Sequence, residues 1–183
     1  SDIPVINGSS DSFHPCQLLA DLLTYIEARG SIENKKVVWL GDGNNMCHSY
    51  MNAARIFDFQ LVVSCPKEFI PDSRILKLSK ENTLIEHDPY KAADNADLII
   101  TDVWTSMGHE SEQSERINKF MKYQVNSEIM ACAKNNALFM HCLPAHRNEE
   151  VTEEVLEGPQ SVVWEEAGNR LHSSKALLEF LLN

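Results

Sequence analysis

Short apolar runs alternate with segments of helical spacing along almost the whole chain, and no other feature limits the fold as tightly. Strands are predicted at 36–40, 60–65, 83–87, 97–102, 137–141 and 161–164. Helices are predicted at 15–29, 46–57, 71–80, 90–95, 116–122, 127–134, 149–157 and 166–182, with Pro15 opening the first and Gly30 stopping it. Apolar strands separated by helices belong to a parallel sheet covered on both sides. The expected fold is α/β: a Rossmann-like three-layer domain with a parallel sheet of about five strands and helices on both faces. In open sheets of this kind, ligands lie beyond the carboxyl ends of the strands.

Three strands run into polar loops at that end. The first loop is Gly41-Asp42-Gly43-Asn44-Asn45. It resembles a dinucleotide turn, but Met46 stands where the fingerprint wants glycine, and the next strand ends in Cys65-Pro66 instead of an acid. Its other readings are a tight turn with Asn44 and Asn45 capping the next helix, or an Asn45 that bonds an amino-acid ligand at the helix start. The second loop runs from Asp102 to Gly108. Asp102 there either caps a loop or holds a ligand amine, and Ser106-Met107-Gly108 has the makings of a lid.

The third loop is His141-Cys142-Leu143-Pro144-Ala145-His146. Cys142 reads as a nucleophile, a zinc ligand or a packed thiol. No second Cys/His cluster stands at zinc spacing, and adjacent His141 and Cys142 point to opposite faces of an extended strand. Nucleophile chemistry would need a base, for which His146 is a candidate. A fourth feature, His14-Pro15-Cys16-Gln17, is either a plain helix start or two neutral donors at a positive helix end. Such donors suit a carbonyl oxygen gaining charge in acyl transfer.

The charge balance narrows the partners. Sixteen basic against 27 acidic residues leave a formal net charge of −11, which disfavours nucleic acid and anionic membrane surfaces. Apolar runs fall far short of the ~20 residues of a membrane span. No charged segment followed by an apolar one opens the chain, which argues against a secretory leader. Five cysteines without repeated spacing read as free thiols in a reducing cytoplasm.

Jointly these residues resemble the ornithine carbamoyltransferase family, in its C-terminal, ornithine-binding half. The matching stretches are His14-Pro15-Cys16-Gln17 with Ala20-Asp21, Gly41 to Asn45 with His48-Ser49, Thr101 to Gly108, His141 to Pro144, and Asn169-Arg170. They stand in the family's order and cover almost all 183 residues. The resemblance implies transfer of the carbamoyl group of carbamoyl phosphate to the δ-amine of L-ornithine, giving citrulline and phosphate. It implies that His14 and Gln17 bind the carbamoyl group and that Arg170 helps bind carbamoyl phosphate. Asn45, Asp102, Ser106 and Met107 would bind ornithine, while Cys142 and the Leu143 carbonyl would lie beside the reacting amine. No metal or organic cofactor is implied, and the family's assemblies are trimers or multiples of them. Residues 1–30 would form a lead-in and interdomain helix, 31–165 the ornithine-binding domain, and 166–183 a terminal helix packed on an N-terminal domain.

Two departures from the family matter. Gly168 stands where the family usually has Glu, which removes a side chain that could orient Arg170. The N-terminal Ser-x-Arg-Thr-Arg phosphate motif is absent, so the chain is expected to be the second domain of a longer enzyme, with little activity alone. Aspartate carbamoyltransferase is the near rival, with His-Pro-Leu-Pro in place of 141–144, and putrescine and acetylornithine relatives stand close. A non-catalytic amino-acid-binding or assembly module and a nucleotide-binding oxidoreductase are the readings from other classes.

Overall fold

The computed structural model describes residues 3–104 and 113–183. Five parallel strands form one sheet: β1 (Lys36–Leu40), β2 (Gln60–Ser64), β3 (Thr83–Ile85), β4 (Leu98–Thr101) and β5 (Leu138–His141), in spatial order β3-β2-β1-β4-β5. Around them lie α1 (Pro15–Arg29), α2 (Asn45–Phe57), α3 (Ser73–Leu78), α4 (Pro89–Ala93), α5 (Gln113–Phe120), α6 (Ser127–Cys132), α7 (Glu153–Leu156) and α8 (Val163–Leu182). The order reverses between β1 and β4, which are directly paired from Val37↔Leu98 to Leu40↔Thr101. A crevice opens at such a switch point, beyond the strand ends.

Alternation along the strands builds two cores. Val37, Trp39, Leu61, Val63, Leu98, Ile100 and Met140 face α1 and α2. Val38, Leu40, Val62, Ile99 and Phe139 face α4, α6, α7 and the start of α8. Helix starts are set by local polar chemistry. The Asn44 side chain accepts from Met46 N–H and Cys47 N–H, Asp88 caps α4 ahead of Pro89, and Asn126 caps α6. Gly30 ends α1 with φ of 80°.

Two predicted elements need correction. Residues 161–164 are not a strand. Phe139 and Ser161 form one isolated bridge, and Val163 already begins α8. Burying Val163 in the second core and bringing Glu166 under the sheet outweighs the β-propensity of Ser-Val-Val-Trp. The helix predicted over 149–157 shrinks to Glu153–Leu156, because Val151 is spent on bridges to Val125 and Arg147.

The terminal helix belongs to the domain over its first half. Asn169 donates to Thr24 Oγ1 and Glu27 Oε2 on α1, at 3.0 and 2.8 Å. Beyond Ser173 its apolar residues lose cover, and Phe180 and Leu182 are 82% and 71% exposed. Ile26 on α1 and Ile56 on α2 are likewise exposed. Among the described residues, no helix is long and apolar enough to cross a membrane.

Candidate active site

The carboxyl ends of β1, β4 and β5 bring three loops together. Asn44, after β1, donates from Nδ2 to Asp102 Oδ2 at 2.7 Å. Cys142, after β5, donates its thiol to Asp102 Oδ1 at 3.1 Å. Val103 N–H also donates to Oδ1 at 2.8 Å. Three donors therefore fix the Asp102 carboxylate at the switch point, half open to solvent. Burial, followed by the neighbouring Asp102, raises the Cys142 thiol well above its usual range. It is a neutral thiol here, which removes the thiolate that nucleophile chemistry needs. Position 142 leaves the strand toward the α1–α2 core, and His141 turns to the opposite face.

The glycine loop is a packing device. A Cβ on Gly43 would meet Pro71 N at 2.4 Å and Ile70 C at 2.6 Å, both backbone atoms. Gly43 N–H is bonded to Phe69 O at 2.9 Å, so it faces the chain and not a phosphate. Asn44 is the N-cap of α2, whereas Asn45 Nδ2 donates to Ser10 O at 2.7 Å and ties down the lead-in. Asp42 pairs with Arg116 at the crevice edge. Arg116 also donates to Trp104 O at 2.7 Å and lies 4.6 Å from the centre of the Phe69 ring.

A second polar cluster joins α1 to α8. Gln17, fully buried, donates from Nε2 to Asp21 Oδ1 at 2.8 Å and to Glu166 Oε1 at 3.2 Å. Its Oε1 accepts from Arg170 Nη1. Tyr50 O–H donates to Asp21 Oδ2 at 2.7 Å, and His141 N–H donates to Glu166 Oε2 at 3.0 Å. Arg170 is thus held by Gln17 and not by a residue at 168; the space over Gly168 is open. Two atoms of this region are buried without a hydrogen-bond partner among the described residues, His14 Nδ1 and Arg170 Nε. Burial, and then the charge of Arg170, lowers the His14 pKa, so the ring is neutral.

Asp21 and Glu166 are two carboxyls in one dry site. Burial raises both, Asp21 to about 6 and Glu166 well above the usual carboxylate range, with Asp21 itself pushing Glu166 up. The Asp21 pKa is raised on folding, so its stability contribution is complete below the unfolded value near 4 and is lost as pH rises through about 6. From Asp21 the loss is on the order of 2–3 kcal/mol. Urea midpoints measured between about pH 4.5 and 7.5 should fall more steeply for the native chain than for Asp21→Asn. Equal slopes would remove this account.

The predicted site residues fall into two groups. Asp102 and Cys142 are in direct contact, and Gln17 and Arg170 are likewise, with the charges of Asp102 and Arg170 both felt at His14. Leu143 closes the loop with φ of 50°, its N–H donating to His141 Nδ1 at 2.9 Å. Asn45 faces the lead-in, and Ser106 and Met107 lie outside the described residues. Sequence reasoning missed Asn44 as the partner of Asp102, and missed Tyr50, Arg116, Glu150 and Glu166 altogether. The Asn44-Asn45 doublet was a signal, but nothing in sequence marks Glu166, which meets Gln17 only in space. Ligand atoms of Asp102, His141 and Cys142 lie within 4.8 Å of one another. A metal there would have to displace the bonds from Leu143 N–H, to Glu150 and to Asp102 that already occupy them.

An open parallel sheet with a fixed carboxylate at its switch point, and a neutral imidazole and a guanidinium with free nitrogens alongside, is an α/β small-molecule domain suited to a ligand with a cationic end and a polarised carbonyl. Residues 33–181 match the family described as aspartate/ornithine carbamoyltransferase, Asp/Orn binding domain, and the chain belongs to that family. It is 59% identical over 182 residues to the ornithine carbamoyltransferases of Methylococcus capsulatus and of Nitrosococcus oceani, covering all of this chain and 61% and 60% of those proteins. The crystal structure of ornithine carbamoyltransferase from Burkholderia thailandensis matches with a TM-score of 0.91 at 49% identity, over all of this chain and 59% of that one. The chain thus spans about three-fifths of the length of the relatives it matches.

Proposed function

We propose that the protein to which this chain belongs is an ornithine carbamoyltransferase of arginine metabolism, and that these residues form its ornithine-binding part. The carrying observation is the Asp102 carboxylate, fixed by Asn44, Val103 and Cys142 and open toward the crevice. An alkylammonium fits that acceptor, and an aspartate substrate, with its second carboxylate, does not.

The chemistry follows from the groups present. The δ-ammonium of ornithine, with pKa about 10.4, must lose a proton before its lone pair can attack. Asp102 accepts hydrogen bonds from it and orients it, and the neutral Cys142 thiol packs beside it without forming a bond. Attack makes the new N–C bond, and the carbamoyl oxygen gains charge. Neutral His14 and Arg170 each bring an unused buried nitrogen to bear on that charge, and Gln17 holds Arg170 in place. The C–O bond to phosphate then breaks, and phosphate leaves with the second amine proton. Asn45, Ser106, Met107 and Leu143 complete the ornithine contacts in this reading. The uncovered apolar faces of α1 and α8 support docking of a further domain that would bring the phosphate clamp, within a cytoplasmic trimer.

Citrulline formation from carbamoyl phosphate and L-ornithine tests the proposal. The chain extended to its natural N-terminus should turn over at least a thousandfold faster than the 183 residues alone. No citrulline from the extended protein would favour an amino-acid-binding module, and better use of putrescine than of ornithine would move the assignment to that relative.

A further inference from the structure

The turn after β5 carries three metal-capable side chains that the proposed reaction does not use. His146 Nδ1 lies 3.9 Å from Glu149 Oε2 and 3.9 Å from Glu150 Oε2. One ligand atom from each of the three lies within 4.8 Å of the others. Separations of this size put a central ion roughly 2.5 Å or less from each atom, a few tenths of an ångström from the 2.0–2.2 Å that zinc takes to nitrogen and oxygen.

Glu150 supplies the independent observation. Its side chain is fully buried. Oε1 accepts from His146 N–H at 2.6 Å and contacts His141 Nε2 at 3.1 Å. Because His141 Nδ1 accepts from Leu143 N–H, the ring hydrogen is on Nε2 and donates to Glu150. Oε2 is buried with no hydrogen-bond partner among the described residues, and it lies on the His146 side. A buried carboxylate oxygen without a donor is costly, and a cation satisfies it. The neighbouring guanidinium does not, since Arg147 is paired with Glu153 and Glu157.

We propose that His146, Glu149 and Glu150 form a site for a divalent transition cation, with zinc, which takes imidazole and carboxylate ligands together, as the ion to test. His146 and Glu149 are partly open to solvent, so waters complete the coordination and the ion exchanges with the medium. Glu150 places the site one side chain away from the candidate active site. An ion on Oε2 weakens the hold of Oε1 on His141, and His141 in turn holds the backbone between Cys142 and Pro144. Occupancy is therefore transmitted to that loop.

Cobalt(II) titration of the reduced chain, followed by zinc competition, tests the site. One equivalent should give weak visible bands without the intense near-ultraviolet band of a thiolate ligand. His146→Ala and Glu149→Gln should each weaken zinc binding at least tenfold, whereas Cys142→Ser should leave it unchanged. Both variants alter partly exposed side chains and should melt with the native chain, which separates lost binding from lost fold. No binding beyond that of the His146→Ala/Glu149→Gln double variant, or binding abolished by Cys142→Ser, would overturn the proposal.

Discussion

Asp102→Asn lowers kcat/KM for citrulline formation by the full-length protein about 10²–10³-fold, the equivalent of losing one charge-assisted hydrogen bond of roughly 3–4 kcal/mol in a desolvated site. The substitution keeps the shape of the side chain and an oxygen for Asn44 Nδ2, but its NH2 group then faces the Val103 N–H and the Cys142 thiol, so a stability loss of roughly 1–3 kcal/mol accompanies it and kcat/KM is measured well below the melting temperature. A second effect can be read on the chain alone. Asp102 is the largest charge holding the Cys142 thiol protonated, after burial itself. Removing it lowers the thiol pKa and should speed iodoacetamide alkylation of Cys142 at about pH 8. A kcat/KM within tenfold of the native value would mean that Asp102 caps its loop and does not hold the substrate amine.

Gly43→Ala is expected to cost about 3 kcal/mol or more, because the new methyl meets backbone that no rotamer change can move. For a domain of this size that is a fall in Tm of about 6–12 °C. Gly168→Ala is the matched control. No atom lies within 4 Å of the added Cβ there, so the better helix residue should stabilise the chain by up to about 1 kcal/mol. Calorimetry on the two variants compares steric need with simple propensity. A mild effect at position 43 would return the glycine loop to the dinucleotide-like readings, in which its backbone faces a ligand.

Much of the fold is legible because it is local. Pro15 and Gly30 bound α1, Asn44 caps α2, and apolar pentads such as Lys36–Leu40 can satisfy their backbone only in a sheet. The reactive loops are legible for the same reason: Asp102 and Cys142 each follow an apolar strand, so both emerge at its carboxyl end. Boundaries fail where distant contacts outvote propensity, as at Val163, whose burial against the second core starts a helix in a stretch of β-formers. The polar contacts of the site are less legible still. Asn44 and Asn45 are equivalent in sequence, yet one meets Asp102, 58 positions away, and the other meets Ser10.

The chain's own order of residues determined the alternation of strands and helices, the three loops at strand ends and the acidic character of the molecule, because periodicity, capping and charge are properties of neighbours. Only the tertiary structure decided which strands flank the crevice, that Cys142 is a neutral thiol, that Asp21 and Glu166 are buried together on Gln17 beside Arg170, and that Glu150 turns a bare oxygen toward His146. Those facts depend on burial and on pairs such as Gln17 and Glu166, 149 residues apart, whose energies exist only once the sheet has brought them into one dry space.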